Sequence, residues 1–334
     1  MYDYQILLFS IDPINELTKD IKLIQEQVEI KTSKQKLSGV KNKLLFISLF
    51  FELIKIKKSF NPHIIHSHYA TSYGLLGRML FFKNFYLSVW GSDIFDFPLK
   101  SVFHKWIMIF ILKGADKIFS TSHVMAKEIN IYTPKKVIIV PFGIDFKLFK
   151  PQEKKSNKNF VLGTVKSLED VYGIDRLIDV FNIVQKSINN CSCVIYGSGT
   201  KEKVLKEKVS SLGLDSKVFF KGKIGNQDVS KALSDMDIFC AFSRSESFGV
   251  AVLEASSCGV PVVVTNVGGL PEVVLNNETG FVCNYNEKEI SDKIIQLYHD
   301  KDLMLSLGEN GARFVKSNFD WDKNVDLMKK HYNE

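Results

Sequence analysis

The chain has 334 residues, 45% of them apolar and 24% charged, with a net charge of +7 and five cysteines. That length and apolar fraction support a sizeable core and fit two domains, and they exclude a disordered or fibrous chain. An odd cysteine count without a leader-like segment argues for reduced thiols in a cytosolic compartment rather than a disulfide scaffold; Cys191 and Cys193 alternate on one strand with no matching Cys or His pair, which argues against a metal site. The charge is unevenly divided: residues 1–150 carry 21 Lys/Arg against 12 Asp/Glu, and residues 151–334 carry 23 against 25. A basic first half implies an anionic surface or acceptor. A lysine-rich composition explains the number of lysines but not this asymmetry.

In chain order, residues 4–10 (YQILLFS) predict a strand, 14–24 a short helix, 27–32 a further strand and 41–60 a long apolar helix. Residues 62–68 (PHIIHSH) form the next strand, and 69–82 a helix in which Gly74 and Gly77 allow close packing. Residues 87–98 (LSVWGSDIFDFP) read as a strand ending in Gly91-Ser92-Asp93, and strands within 113–122 and 136–140 close the first sheet. Residues 141–151 (PFGIDFKLFKP), with two prolines, one glycine and no regular period, read as an interdomain segment, with the boundary near 151–157. A second sheet opens at 160–165; 194–199 (VIYGSG) has a strand-turn-helix pattern whose GxG lacks a third glycine, and 218–222 (VFFKG) is another strand. Asp235 and Asp237 resemble a metal-binding DxD but precede a buried strand, which favours a turn. Residues 321–332 predict a final helix.

Two apolar stretches, 44–54 and 106–112, are shorter than the roughly 18–20 residues needed to span a bilayer. The first ends in Lys55, Lys57 and Lys58, as an interface-bound helix requires. Helices that flank a buried sheet are equally apolar, so both readings stay open.

The most informative stretch is 238–274, IFCAFSRSESFGVAVLEASSCGVPVVVTNVGGLPEVV. Two short β-branched runs separated by a helix indicate a βαβ unit with parallel strands covered on both faces. The loop before Gly249 then lies at the carboxyl end of a strand, where open α/β sheets bind ligands. Gly249 lets a ligand approach the backbone, and the N–H groups of Phe248, Gly249 and Val250 lie at a helix amino terminus that attracts phosphate. Glu254 interrupts an apolar helix in which an unpartnered carboxylate is costly; the adjacent hydroxyls of a ribose would satisfy it without a metal. Glu246 precedes the helix and points toward whatever the phosphate carries. Either acid alone is explained as well by a lysine partner or by solvent, whereas the whole constellation fits a phosphorylated sugar.

Glu246 and Glu254 at E-x7-E spacing, inside SRSESFGVAVLEASSCGVPVVVTNVGGLPE, resemble the signature of the GT-B retaining glycosyltransferases of group 1, or family 4, the glycogen-synthase-like enzymes. The resemblance implies an α/β GT-B fold of two Rossmann-like α/β/α domains facing a central cleft. Residues 1–151 would form the acceptor side, 152–318 the nucleotide-sugar side, and 319–334 a helix packing back on the first domain. It also implies a nucleotide-diphosphate sugar donor, a glycan or lipid-linked saccharide acceptor, retention of configuration, no cofactor, no catalytic metal and no nucleic-acid partner. On this reading Lys166, Phe248, Gly249, Val250 and Glu254 bind the donor, and Glu246 acts with Asp93 and His68 at the reacting sugar. Asp93 and His68 enter because Trp90 stands where many relatives carry the His of a His-Gly pair; a turn-capping Asp and a core His are the alternatives. Thr164 stands where relatives carry an Arg and Val171 near a second cation, which leaves Lys166 for the diphosphate, with a solvent lysine as the alternative.

The chain also departs from the family at its start. No glycine precedes Gly39, and the first strand lies about one βα unit too close to the strand at 62–68. The choice is between a remodelled loop and a missing first βα unit. The reading taken is the missing unit, which would leave a gap in the first sheet. The expected function is sugar transfer in cell-surface polysaccharide synthesis, in the cytoplasm and peripherally on the inner face of the plasma membrane. The competing readings are a nucleotide-sugar-binding protein without turnover, an epimerase and a phosphorylase; the last requires a cofactor-lysine arrangement that the sequence does not display.

Overall fold

The computed structural model describes residues 6–10, 28–32, 43–152 and 159–334. The helix expected over 14–24 and most of the expected boundary segment lie outside these residues.

In the first domain, β1 (Ile6–Ser10) and β2 (Val28–Thr32) pair in parallel as a two-stranded sheet. Strands β3 (Ile65–His68), β4 (Phe85–Val89), β5 (Lys117–Ser120) and β6 (Val137–Ile139) form a parallel sheet in that spatial order. Among the described residues no strand pairing joins the two sheets, so β3 has β4 as its strand neighbour. The helices are α1 (Lys43–Phe60), α2 (Ser72–Met79), α3 (Ser92–Phe95), α4 (Val102–Gly114) and α5 (His123–Asn130). All five residues of β4 are buried, as expected for a parallel strand with both faces covered. The strand expected to run from 87 and end in Gly91-Ser92-Asp93 stops at Val89. Gly91 takes φ +143°, a left-handed conformation that breaks the extended run, and α3 follows.

The second domain is a six-stranded parallel sheet built from β7 (Phe160–Val165), β8 (Cys191–Tyr196), β9 (Val218–Gly222), β10 (Ile238–Ala241), β11 (Val262–Thr265) and β12 (Gly280–Cys283). Its order, β12-β11-β10-β7-β8-β9, places β7 and β10 side by side in the middle. The helices are α6 (Ile174–Ser187), α7 (Glu202–Ser211), α8 (Asn226–Ser234), α9 (Val250–Ser257), α10 (Leu270–Val273), α11 (Glu287–His299), α12 (Lys301–Asn318) and α13 (Trp321–Asn333). Sequence spacing accounts for their docking: Ile174, Leu177, Ile178, Phe181 and Val184 recur at helical intervals and form the buried face of α6. Helix α11 begins where the Asn286 side chain accepts the Glu289 N–H, then buries Ile290, Ile294 and Leu297. Phe181 and Phe239, fully buried in the cores on opposite faces of the sheet, each contribute about 1.5–3 kcal/mol through burial.

The chain crosses between the domains twice, and the crossings lie side by side. The Ile144 N–H donates to the Phe319 carbonyl at 2.7 Å, and the Trp321 N–H donates to the Ile144 carbonyl at 3.3 Å. Glycine is required beside this contact, since a Cβ on Gly143 would fall 2.3 Å from Trp321 Cα. After the second crossing, Leu327, Met328 and Tyr332 of α13 pack on Tyr86, Phe119 and Val140 of the first sheet. Lys117 Nζ donates to the His331 carbonyl at 2.6 Å, and the Tyr332 hydroxyl hydrogen-bonds His66 Nδ1.

Candidate active site

The loop after β10 is shaped by glycines. Gly249, at φ +111°, starts α9, and a Cβ there would meet side-chain carbons of Leu270 at 3.0 Å and Val273 at 3.2 Å. The amides of Val252 and Leu253 donate to the Gly249 carbonyl at 3.0 and 3.2 Å, which leaves those of Gly249, Val250 and Ala251 directed out of the helix end. Phe248 is buried and anchors the loop, its ring 5.9 Å from Phe142 and 5.8 Å from Phe319. On the other side the Gly269 N–H donates to the Glu246 carbonyl at 2.9 Å, and a Cβ on Gly268 would lie 1.8 Å from that oxygen. The Gly268-Gly269 turn therefore clasps the backbone that presents Glu246.

Three charged groups converge here. Lys166, just past the end of β7, donates from Nζ to Glu246 Oε2 at 2.6 Å, and each side chain is 11% exposed. The same ammonium lies 4.9 Å from the Tyr172 ring centre. The expected division of labour, Lys166 on the diphosphate and Glu246 on the sugar, is here a direct ion pair. Glu254 is half-buried, and among the described residues no hydrogen bond or ion pair reaches its carboxylate. Burial pushes its pKa up to about 7, and the charge of Lys166 draws it back only in part. Thr164, at the family's Arg position, is buried with its hydroxyl unpartnered, so it adds no cation to this cluster.

The first domain supplies the opposite wall. His68 ends β3, its ring stacked on His66 at 4.2 Å and 5.5 Å from Trp90. Solvent reaches His68, yet protein atoms crowd it on several sides and this desolvation lowers its pKa. His66 lies well below the usual histidine value, first through burial and then through the neighbouring His68. Asp93 is fully buried and accepts the N–H groups of Ala70 at 2.7 Å, Gly91 at 2.8 Å and Trp90 at 3.2 Å. Burial raises its pKa and those bonds oppose the rise. Both carboxylate oxygens are thus occupied by main chain, which is the turn-capping alternative: Asp93 positions the Trp90-Gly91 turn rather than reaching into the cleft.

That turn meets the donor loop directly, since a Cβ on Gly91 would fall 3.0 Å from Ser247 Cβ. The Ser122 hydroxyl donates to the Ser247 carbonyl at 2.7 Å. The Glu272 carboxylate accepts the N–H groups of both His123 and Val124 at 2.7 Å, filling the amino terminus of α5 from the other domain. Sequence reasoning missed Ser122, Ser247 and Glu272. The only signal was an acid in the first turn of α10, where it ordinarily serves its own helix. Two other motifs prove structural: Glu169 accepts the Thr200 N–H and hydroxyl at the end of the GSG loop, and Asp237 accepts the Val161 N–H at 2.7 Å.

The family model "Glycosyl transferases group 1" matches residues 145–314, just over half of the chain and all of this loop, and "Glycosyl transferase 4-like" matches residues 2–122. The chain is a group 1 glycosyl transferase. It is 25% identical over 295 residues to the N-acetyl-alpha-D-glucosaminyl L-malate synthase of Bacillus anthracis, covering 84% of this chain and 76% of that protein. Among solved structures, sucrose-phosphate synthase from Thermosynechococcus elongatus superposes with a TM-score of 0.83 at 18% identity, covering 99% of this chain and 98% of that one. Anabaena HepE in complex with UDP-glucose superposes with a TM-score of 0.80 at 17% identity, covering 98% and 99%. At these identities the structural likeness establishes the fold: this group 1 glycosyl transferase has the GT-B architecture.

Proposed function

We propose that this chain transfers a sugar from a nucleotide-diphosphate donor to a glycan or lipid-linked saccharide, with retention of anomeric configuration. The observation that carries the reading is Glu254, a half-buried carboxylate one turn inside a helix; among the described residues neither a donor to it nor a partner for the first amides of that helix is found. A ribose brings two adjacent hydroxyl donors to the acid, and the amides of Phe248, Gly249 and Val250, with that of Ala251 beside them, meet the diphosphate. The UDP-glucose bound by the Anabaena protein is a donor of this class.

In the proposed reaction the bond between the anomeric carbon and the diphosphate oxygen breaks as the acceptor hydroxyl attacks from the same face. Its proton passes to the leaving phosphate oxygen, so no enzyme nucleophile is needed. The helix amides and Lys166 stabilise the charge that develops on the diphosphate, and charge neutralisation is assigned to them rather than to a metal. Lys166 must exchange Glu246 for phosphate, which frees Glu246 to hold the donor sugar. His68, neutral at neutral pH, faces that sugar or the acceptor from the other wall. Among the described residues no helix is long and apolar enough to cross a membrane. We place the enzyme in the cytoplasm, in contact with the inner face of the plasma membrane through its basic first domain, in cell-surface polysaccharide synthesis.

A second reading, nucleotide-sugar binding without turnover, draws on one observation: among the described residues β3 has a strand on one side alone, which bears on the acceptor side of the cleft. Titration with UDP-glucose and GDP-mannose, followed by hydrolysis and transfer assays across an acceptor panel, separates the two. Transfer supports the first reading and binding without turnover the second; a chain that binds no nucleoside diphosphate overturns both.

A further inference from the structure

Helix α4 is apolar on both faces. The inner face buries Met108, Ile111 and Leu112. On the outer side Val102, Phe103 and Trp106, with Leu99 just before the helix, are each at least 65% exposed, and Phe110 is 40% exposed. Positions 103, 106 and 110 recur every three or four residues along α4, so they form one stripe rather than scattered exposures. Phe81, 71% exposed, extends it, because the Arg78 guanidinium lies between its ring and that of Phe110, at 5.0 and 4.8 Å. Isolated exposed apolar side chains need no explanation, but a contiguous aromatic stripe marks a surface that something covers.

Charge identifies what covers it. From Phe97 to Gly114 the chain carries Lys100, Lys105 and Lys113 and no acid, and all three lysines are exposed. Lysines flanking an aromatic stripe match the boundary between anionic headgroups and acyl chains, where the rings enter the apolar layer and the ammonium groups stay with the phosphates. Helix α1, the other apolar candidate, exposes Ile47 and Phe51 alone among its described large apolar residues. Helix α4 follows α3 and the short 3-10 turn Phe97–Lys100, which connect it in the chain to the Trp90-Gly91 turn that meets Ser247 of the donor loop.

We propose that the outer face of α4, together with Phe81, inserts into the headgroup region of an anionic lipid bilayer and brings the first-domain wall of the cleft to a lipid-borne acceptor. The inference rests on the acceptor reading above, yet it is tested without donor or acceptor, so the failure of one is distinguishable from the failure of the other. The full chain is sedimented with vesicles of phosphatidylcholine alone and of phosphatidylcholine mixed with phosphatidylglycerol. Binding is expected to the mixed vesicles and to weaken with salt. Lys100→Gln, Lys105→Gln and Lys113→Gln each lower the partition coefficient about fivefold. The pair Phe103→Ser and Trp106→Ser lowers it more than about tenfold with the melting temperature unchanged, because both side chains are exposed. Brominated lipid quenches tryptophan fluorescence in the wild type and much less in Trp106→Phe. Absence of vesicle binding, equal binding by the serine pair, or quenching undiminished in Trp106→Phe overturns the proposal. So does a dimer that the serine pair dissociates while vesicles are ignored, which assigns the face to a second copy.

Discussion

Glu254→Gln separates the cost of a buried charge from its use. The carboxyl titrates near 4.5 when unhindered and is pushed up to about 7 in the fold. At ~1.36 kcal/mol per pH unit, lifting the carboxyl from near 4.5 to about 7 makes ionisation cost about 3 kcal/mol of stability. The folded chain holds this proton more tightly than the unfolded chain does. Stability is therefore lost as pH rises from about 4.5 through about 7, and the full penalty stands above that. Glutamine has the same shape and no charge. At pH 8 the variant is expected to exceed the wild type in urea stability by up to about 3 kcal/mol, with the difference shrinking toward pH 5. Donor binding moves the other way: losing charge-assisted bonds from the ribose costs about 1.5–3 kcal/mol, roughly 10- to 150-fold in affinity at pH 8. Calorimetric titration with UDP-glucose or GDP-mannose, whose phosphates do not titrate near neutral pH, in two buffers of different ionisation heat reads both effects, since the wild type should release a proton on binding near pH 6.5 and the variant should not. Unchanged affinity together with no proton release would refute the assignment of Glu254 to the donor.

The Lys166–Glu246 pair gives a second test. Lys166→Met strands a mostly buried carboxylate and is expected to cost about 3 kcal/mol in equilibrium unfolding. Adding Glu246→Gln should restore most of that stability without restoring nucleoside diphosphate binding; a double variant no more stable than the single one argues against the pair. Gly268→Ala places a methyl group 1.8 Å from the Glu246 carbonyl at φ +53°. It should weaken donor binding more than about tenfold through the displaced loop, since even a one-ångström misplacement is costly; wild-type affinity removes that turn from the site. Glu272→Ala removes the carboxylate that caps α5 across the cleft and should cost about 1 kcal/mol. X-ray scattering should show a larger radius of gyration, and an unchanged radius means that the contact does not hold the domains together.

Local pattern carried much of the fold. The strands at 160–165 and 218–222 and the helix starting at Trp321 follow from short apolar runs and one amphipathic period. The acids at 246 and 254 and the glycine that starts α9 were legible because they lie within one βαβ unit. What escaped was long-range. Lys166 and Glu246 are 80 positions apart, and Glu272 is 149 from the amide of His123, so no local spacing announces either contact. Asp93 was legible as an acid at a strand end, but its three main-chain donors come from a turn whose shape depends on Gly91 and on Ala70 of another segment. The outward stripe of α4 was hidden for the opposite reason: where both faces of a helix are apolar, hydropathy alone does not reveal which one the sheet covers.

The paired crossings at Ile144 and Phe319–Trp321 determine how these domains can be separated. The two adjacent connections, hydrogen-bonded to each other through Ile144, join the halves at a single place. They also mean that scission near residue 152 would not liberate two self-sufficient pieces. The leading fragment would leave Tyr86, Phe119 and Val140 stripped of the cover that α13 provides, so biochemical dissection must graft that last helix onto the opening segment.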